Sequence, residues 1–358
     1  MNAIKKLVKK IGRETFTYRD FIETSLYDIE DGYYMTSPTR IGRGGDFITT
    51  PTLYPIFAEF LASYFIQMID HSRTSFVFCE IASGTGDFAK MFIKYIEKYY
   101  PQIFKEFLYV SVEASPENRM LQREKLRGYN VKYYDTIDEL PVLEGIVFSN
   151  EWLDAFPCHV IYKNRGKIYE VLLNYKSNRL EEIMEPLQNP LIYEYLNSYP
   201  EFVLNEGQRI EIPLYGVETY KRLLKKVKNG LIITIDYGYT FQELRNRTNK
   251  KETLRGYKNH QIITNILQHP FEIDITHHIH FDAIRKCGER NGAKTLDLVR
   301  QDEFFLKNGI LRWLVDTQDL DPFSLVHKRN RAIRSLIDSN GISQSFHVLI
   351  QEKKHLEL

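Results

Sequence analysis

Between residues 75 and 151 the chain alternates short apolar runs with longer amphipathic stretches, and this alternation constrains the fold more than any other feature. The runs are rich in β-branched and aromatic residues and have the length of buried strands, whereas the stretches between them have helical spacing. Strands that alternate with helices predict an α/β fold with a doubly wound, mostly parallel sheet. We predict its strands at 75–82, 106–113, 131–135, 145–151 and 230–238.

Two segments interrupt this rhythm. Residues 158–212 contain a predicted hairpin that turns near residues 164–166 and is followed by a helical patch, while residues 240–280 are polar with mixed signals. The runs AKTLDLV and SFHVLIQEK near the end of the chain are two further strand candidates. We therefore predict the following division: a helical N-terminal portion at 1–70, a Rossmann-like core at 71–160 and 213–358, and inserted cap segments at 161–212 and 240–280.

Composition excludes several classes of protein. The 48 basic and 47 acidic residues leave a net charge of +1, which does not support a bulk nucleic-acid binder. The three cysteines form no CxxC pair, which argues against a disulfide framework or a cysteine-rich zinc site. No apolar run reaches the ~18 residues typical of a membrane span, and we interpret the basic start MNAIKKLVKKIGRE as an amphipathic helix. We expect a cytoplasmic protein of bacterial type, or a protein of the mitochondrial matrix if the chain is eukaryotic.

The stretch CEIASGTGDFAK places Gly84 and Gly86 between the first strand and its helix. Glycine permits a tight turn and close approach of a ligand, and the helix N-terminus offers free N–H groups. Glu113 closes the second strand, where a carboxylate can accept hydrogen bonds from a ribose diol. Together with Glu80 on the first strand, these residues predict a nucleotide site.

Two cofactors fit this turn, and a strand–helix turn that binds no ligand is a further alternative. Residues 84–89 satisfy G-x-G-x-x-A, the fingerprint of nicotinamide-dependent oxidoreductases, which therefore remain an alternative. However, Glu80 precedes the glycines within the strand, and the resulting E-x-x-x-G-x-G resembles motif I of class I S-adenosylmethionine-dependent methyltransferases. Ala82 stands where that motif has its first glycine. The predicted cofactor site is Glu80, Ala82, Gly84, Gly86 and Glu113.

The stretch NEWLDAFP follows the fourth strand, at the place where such methyltransferases bring the acceptor to the methyl group. Methyl transfer is an in-line displacement, and alignment of the nucleophile can supply up to ~7–11 kcal/mol of the barrier. Glu151 and Asp154 would suit a cationic acceptor such as a guanidinium, which charge-assisted bidentate pairing holds in one plane. We predict Asn150, Glu151 and Asp154 as the catalytic group; the alternative is that Asp154 caps the following turn and Glu151 is solvated.

Over nearly its whole length the chain resembles the methyltransferase family that includes the mitochondrial complex I assembly-factor protein arginine methyltransferase and its bacterial relatives. The matching stretches occur in the family's order: FIETSLYDIEDGYY, IGRGGDFITTP, the turn at 80–86, VEASPENRMLQREKL, NEWLDAFPCHV, IDYGY, TLRGYKNH and DITHHIHFDAI. The resemblance implies a class I methyltransferase fold with an enlarged cap and S-adenosyl-L-methionine as cofactor. It also implies that Gly45 and Asp46 lie near the cofactor, and that the acceptor is an arginine of a protein such as a subunit of a respiratory complex I-type assembly.

The remaining candidates lie on the acceptor side. Asp236 and Tyr237 end the fifth strand, at the ligand-binding edge of an open α/β sheet, although a core tyrosine fits equally well. Arg255 and His260 lie in the second inserted segment and are substrate-side candidates. The run THHIH could suggest a metal, but alternation sends His277 to the opposite face from its neighbours, and we predict no metal site.

The leading hypothesis is thus a protein-directed S-adenosylmethionine-dependent methyltransferase that acts on arginine. A second hypothesis is an assembly or scaffold protein that binds the cofactor without turnover. A nicotinamide-dependent oxidoreductase is the third. The sequence leaves the oligomeric state undetermined.

Overall fold

The computed structural model describes residues 2–36, 55–72, 75–246, 253–259, 261–338 and 345–354, with side chains in the second range up to residue 69. The predicted Gly45, Asp46 and His260 lie outside the described residues. The strands are β1 Thr15–Thr17, β2 Val77–Ile81, β3 Leu108–Val112, β4 Val131–Tyr134, β5 Leu143–Asn150, β6 His159–Asn164, β7 Lys167–Lys176, β8 Arg179–Pro186, β9 Arg209–Ile212, β10 Val227–Tyr239, β11 Arg255–Lys258, β12 Gln261–Ile263, β13 Asp274–Thr276, β14 Ile279–His280, β15 Ala293–Arg300 and β16 Phe346–Lys353. The helices are α1 Ala3–Ile11, α2 Tyr18–Tyr27, α3 Pro55–Ser72, α4 Asp87–Tyr99, α5 Pro101–Phe104, α6 Pro116–Lys125, α7 Pro190–Ser198, α8 Leu214–Lys226, α9 Phe241–Asn246, α10 Phe281–Arg290, α11 Gln301–Lys307 and α12 Leu325–Leu336.

The main sheet has the strand order β15-β16-β10-β5-β2-β3-β4, with β14 added beside the end of β10. The strands from β10 to β4 are parallel, and β16 is inserted antiparallel between β10 and β15. The predicted α/β fold with a mostly parallel sheet is confirmed. The reversal of strand order occurs between β2 and β5, which is where ligands bind in open sheets of this kind.

Helices cover both faces of this sheet. On one face an aromatic cluster joins α3 and α4 to the strands; the rings of Phe78 on β2 and Phe92 on α4 are in contact, with centroids 4.1 Å apart. On the other face α8 and α10 pack on aliphatic side chains of β5 and β10. Burial of each such side chain contributes roughly 1.5–3 kcal/mol, so both layers hold the carboxyl edge of the sheet in place. Within the described ranges, none of the helices combines the length and apolarity needed to cross a bilayer.

Local signals set the boundaries of the helices next to the cofactor turn. The Ser115 hydroxyl accepts a hydrogen bond from the Asn118 N–H, and Pro116 occupies the first turn of α6. Helix α8 begins at Leu214 and ends at Lys226, and it does not continue up to the predicted strand at 230–238. Residues 227–229 instead begin β10, because Val227 pairs with Leu143 of β5.

Two smaller sheets lie beside the main one. The predicted hairpin is formed by β6 and β7, which belong to a sheet with β1, β8 and β9. The helical patch expected after the hairpin corresponds to α7, and it is preceded by β8, a strand that was not predicted and that pairs with β7 along its whole length. The polar segment after β10 contributes the sheet β12-β11-β13. Our division into core and inserted segments stays a prediction.

Two glycines allow the central strands β5 and β10 to approach. Gly145 and Gly230 are register partners, with φ of 152° and 145°. A Cβ on Gly230 would lie 1.7 Å from the Gly145 carbonyl oxygen, so only glycine fits at this position.

We expect Gly230→Ala to lower the free energy of unfolding by at least ~3 kcal/mol, because a backbone clash inside a parallel sheet cannot relax cheaply. The matched control is Gly166→Ala in the β6–β7 turn, where φ is 73° and a Cβ meets nothing within 4 Å. This control should cost only about 1 kcal/mol, for the left-handed backbone alone. Urea denaturation measures both; equal losses would contradict the register-contact explanation.

Candidate active site

A cleft of about 880 Å³ opens at the carboxyl edge of β2, β3, β5 and β10. This volume lies within the ~300–1,000 Å³ typical of sites for small molecules and cofactors. The cleft is lined by the predicted residues Glu80, Ala82, Gly84, Glu113, Asn150, Glu151, Asp154, Tyr237 and Arg255. The structure therefore brings together both the glycine turn and the acidic loop. Gly86 is not part of the lining.

The turn after β2 contains three residues with left-handed backbone. Ala82, Gly84 and Gly86 have φ of 55°, 54° and 79°. The left-handed conformation of Ala82 costs roughly 1–2 kcal/mol, a strain that glycine would not have. Gly86 is the N-cap of α4, and a Cβ there would lie 3.0 Å from the Gln122 side chain. Its role is to let α4 pack against α6.

Glu113 connects the first two strand–helix junctions. Its Oε2 accepts a hydrogen bond from the Gly84 N–H at 2.8 Å, and its Oε1 accepts one from the Ser115 N–H at 2.9 Å. Burial raises the pKa of Glu113, and these N–H donors oppose the rise. Gln122, which sequence reasoning missed, donates to the Gly84 carbonyl at 2.5 Å and to the Ser83 hydroxyl at 3.0 Å. The turn is thus held in shape by the side chains of Glu113, which follows β3, and of Gln122 on α6.

Glu80 lies at the end of β2 with its carboxyl group almost fully buried. The Tyr109 hydroxyl donates to it at 2.5 Å, and burial raises its pKa to about 8. A carboxyl group with that pKa is mostly protonated at neutral pH. Glu80 can therefore either donate or accept a hydrogen bond toward a ligand in the cleft.

The acidic loop after β5 is fixed by Asp236, which is fully buried at the end of β10. Its Oδ2 accepts hydrogen bonds from the Trp152 and Leu153 N–H groups at 3.1 and 2.8 Å. Its Oδ1 accepts one from the Tyr237 N–H at 2.8 Å. Burial raises the pKa of Asp236 to about 7, although the N–H donors favour the carboxylate. One side chain thereby sets the conformation of the loop that carries Glu151 and Asp154.

Glu151 has a left-handed backbone, with φ of 51°, which is uncommon for a residue other than glycine. Its N–H donates to the Ile235 carbonyl at 3.0 Å, and its Oε1 accepts from the Asn150 amide at 3.0 Å. Burial, followed by the charge of Asp236, raises the pKa of Glu151 to about 8. Strained conformations of this kind concentrate at functional sites. Glu151 is not an ordinary solvated surface residue.

Asp154 is buried deeper, at 3% exposure. Its dehydration, and then the charges of Asp236, Glu151 and Asp274, raise its pKa well above the ordinary value. Within the described residues, Asp154 Oδ1 has no hydrogen-bond partner although it is buried. An unsatisfied buried oxygen costs ~1–3 kcal/mol, and a donor from a ligand would remove that cost.

The wall opposite this loop comes from residues at and after the end of α2, which the sequence did not reveal, and from the predicted inserted segment 240–280. The Tyr34 hydroxyl, after α2, donates to Asp274 on β13. Asp274 is the register partner of Tyr257 on β11. The Tyr27 hydroxyl donates to the Ala155 carbonyl at 3.0 Å. The tyrosine pattern of FIETSLYDIEDGYY was the available signal, but it reads equally well as helix core.

Tyr237 both lines the cleft and packs in the core. Its ring lies against Phe346 with centroids 3.9 Å apart, and burial raises its pKa. His278 stacks beside it at 6.0 Å, whereas the His280 ring bonds the Tyr195 hydroxyl at 2.7 Å. In the part of the chain that the structure describes, the three histidines at 277–280 do not converge as metal ligands.

Comparisons with known proteins agree with this geometry. Residues 60–299 match the family described as "Putative S-adenosyl-L-methionine-dependent methyltransferase". The chain is 23% identical over 320 residues to the mitochondrial protein arginine methyltransferase NDUFAF7 of Danio rerio, covering 80% of this chain and 71% of that protein. It is 22% identical over 326 residues to the Homo sapiens protein of the same name, covering 82% and 70%. A crystal structure from Burkholderia thailandensis with bound S-adenosyl-homocysteine superposes with a TM-score of 0.86 at 25% identity, covering 98% and 92%.

A rise in pH from about 5 to about 8 should lower the free energy of unfolding. The pKa of Glu151 is raised from 4.5 to about 8 in the folded protein. Between these two values the folded chain holds a proton that the unfolded chain has released, so the free energy of unfolding falls as the pH rises. Glu151→Gln should make the decline shallower, with Glu80 still contributing to it. Urea denaturation across the interval measures the slope.

The matched control is Glu181→Gln in β8, where the side chain is exposed. It should leave the slope of the wild-type protein unchanged. If the free energy of unfolding falls with the same slope between pH about 5 and about 8 in Glu151→Gln and in the wild-type protein, dehydration of Glu151 does not cause the decline.

Proposed function

The chain belongs to the S-adenosyl-L-methionine-dependent methyltransferase family, and on this premise we propose that it methylates the side chain of an arginine in a protein. The observation that carries the proposal is the cluster of Glu151, Asp154 and Asp274 in the cleft, with an unpartnered oxygen on Asp154. The ionised forms of carboxyl groups that are removed from water to this extent are unfavourable unless a cation pairs with them. A guanidinium supplies several N–H donors in one plane.

The residues of the glycine turn fit the cofactor. The Gly84 N–H and the Glu113 carboxylate meet at the cleft, where Glu113 can accept bonds from ribose hydroxyls in addition to its two N–H bonds. Ile81, Val112 and Ile137 provide apolar surface beside them for a base. When bound, S-adenosyl-L-methionine supplies an electrophilic methyl group. Family membership supports this cofactor over a nicotinamide.

The acidic loop and its opposite wall fit the acceptor. Glu151 and Asp154 come from the loop that Asp236 fixes, while Asp274 comes from β13. Tyrosine rings of Tyr237 and Tyr257 line the same space, and an aromatic face attracts a cation. Charge-assisted pairing of this kind would fix the plane of a guanidinium and turn one nitrogen toward the methyl donor.

Methylation of a guanidinium nitrogen must release one proton, because the product is again a monocation. Glu151, whose pKa is about 8, suits a general base near neutral pH. Arrival of a cation favours the ionised form of Glu151, which then holds the proton that leaves the nitrogen. The acceptor nitrogen would form its bond to the methyl carbon as the bond from that carbon to the cofactor's sulfur breaks, which leaves neutral S-adenosyl-homocysteine, and the proton of the nitrogen would move to the carboxylate.

The acceptor protein is proposed from the relatives. The curated relatives carry the name protein arginine methyltransferase, which supports a protein acceptor for this chain. That the acceptor is a subunit of a complex I-type respiratory assembly stays part of the proposal, as does a cytoplasmic location. The protein is incubated with labelled S-adenosyl-L-methionine and a lysate from cells that lack this protein. We expect the label to appear on an arginine of one protein in the lysate. Intact cofactor binding without any labelled acceptor would favour a scaffold protein.

Glu151→Gln and Asp154→Asn should each retain binding of S-adenosyl-homocysteine within ~3-fold and lower kcat for methyl transfer by ~10²-fold or more. Each amide keeps the shape of the side chain but removes the charge that holds and deprotonates the acceptor. Calorimetry measures the binding, and incorporation of labelled methyl measures the transfer. Glu181→Gln is the control and should behave as wild type. Full transfer activity in both cleft variants would refute the guanidinium role.

A further inference from the structure

Two arginines among the described residues, Arg222 and Arg255, lie in the wall of this cleft beside its carboxyl groups. Arg255 begins β11 and lines the cleft together with Tyr257, two residues further along the same strand face. On the neighbouring strand β13, their register partners are Thr276 and Asp274. The β11–β13 pair thus presents a cation and a carboxylate side by side to the same space.

Arg255 is not neutralised by the carboxylates around it. In the described portion of the chain it forms no ion pair with Glu151, Asp154 or Asp274; its polar neighbour is the Tyr257 hydroxyl. Arg222, the other arginine of the lining, is by contrast paired with Asp138 at 2.6 Å. Arg255 therefore keeps its donors available on the cleft side.

We propose that Arg255 and the Tyr257 hydroxyl form a carboxylate-binding position in the cleft. The planar fork of arginine matches a carboxylate with two parallel hydrogen bonds, and the tyrosine hydroxyl adds a third donor. Glu151, Asp154 and Asp274 line the same cleft and disfavour an anion beside them, so a ligand with both a cationic and an anionic group binds preferentially in one orientation. Selection of orientation is the function that this placement of charges serves.

Two ligands of the proposed reaction can bring a carboxylate to this position. One is the amino-acid end of the cofactor, where an ammonium and a carboxylate are adjacent. The other is an acidic side chain next to the acceptor arginine, and only this source rests on the proposed function. The cofactor source requires no methyl acceptor, so its test is independent of the guanidinium proposal.

The first arm compares S-adenosyl-homocysteine with 5′-methylthioadenosine, which keeps the adenosyl thioether and lacks the amino-acid end. In Arg255→Gln, calorimetry should show a dissociation constant for S-adenosyl-homocysteine at least ~10-fold higher than in wild type. Binding of 5′-methylthioadenosine should stay within ~2-fold, which also shows that the variant is folded. Arg255→Lys, which keeps the charge without the fork, should be intermediate.

The second arm tests the acceptor source with S-adenosyl-homocysteine present. The probes are acetyl-Glu-Arg-Glu-amide and acetyl-Gln-Arg-Gln-amide; wild type should prefer the acidic peptide, and Arg255→Gln should not. Lys258→Gln is the control in both arms, because Lys258 lies on the same strand but pairs with Glu272 outside the cleft lining. A response in either arm identifies the source of the carboxylate. If Arg255→Gln matches wild type with both cofactor analogues, and with both peptides, the proposal is wrong.

Discussion

The candidate site depends on hydrogen bonds from three backbone N–H groups to one buried carboxylate. Asp236 accepts them from Trp152, Leu153 and Tyr237, and so ties the loop after β5 to the end of β10. Without this side chain those N–H groups would be buried and unsatisfied, at a cost of ~1–3 kcal/mol each. These hydrogen bonds fix the loop next to Glu151, and they hold its backbone in the left-handed conformation.

The same carboxylate also sets the electrostatics of the cleft. Asp236 contributes charge that raises the pKa of both Glu151 and Asp154, in addition to their burial. Neighbouring carboxylates repel one another in the free protein, and each of them attracts a cation that binds among them. The carboxyl groups that would bind a cationic acceptor are therefore already held close together in the free site.

Much of the sheet could be predicted because its strands are buried on both faces and read as continuous apolar runs. The predicted strands at 75–82 and 145–151 coincide with β2 and β5, and the two C-terminal candidates coincide with β15 and β16. The strand β8, between the hairpin and the helical patch, was missed because it is exposed and polar, and its conformation comes from pairing with β7. Pairing between strands is invisible in the local pattern of such a segment.

The sequence by itself determined the α/β class, the glycine turn with Glu113, and the position of Glu151 and Asp154 at a strand end, because these follow from local periodicity and from spacing along the chain. Only the tertiary structure decided that Tyr34 and Asp274, 240 positions apart, form the opposite wall of the same cleft. It also decided that Asp236 acts on the loop, and that Arg255 remains without an ion pair among the described residues. Dehydration and charge repulsion depend on distances in space, and distances between distant segments are fixed only when the sheet and its surrounding elements pack together.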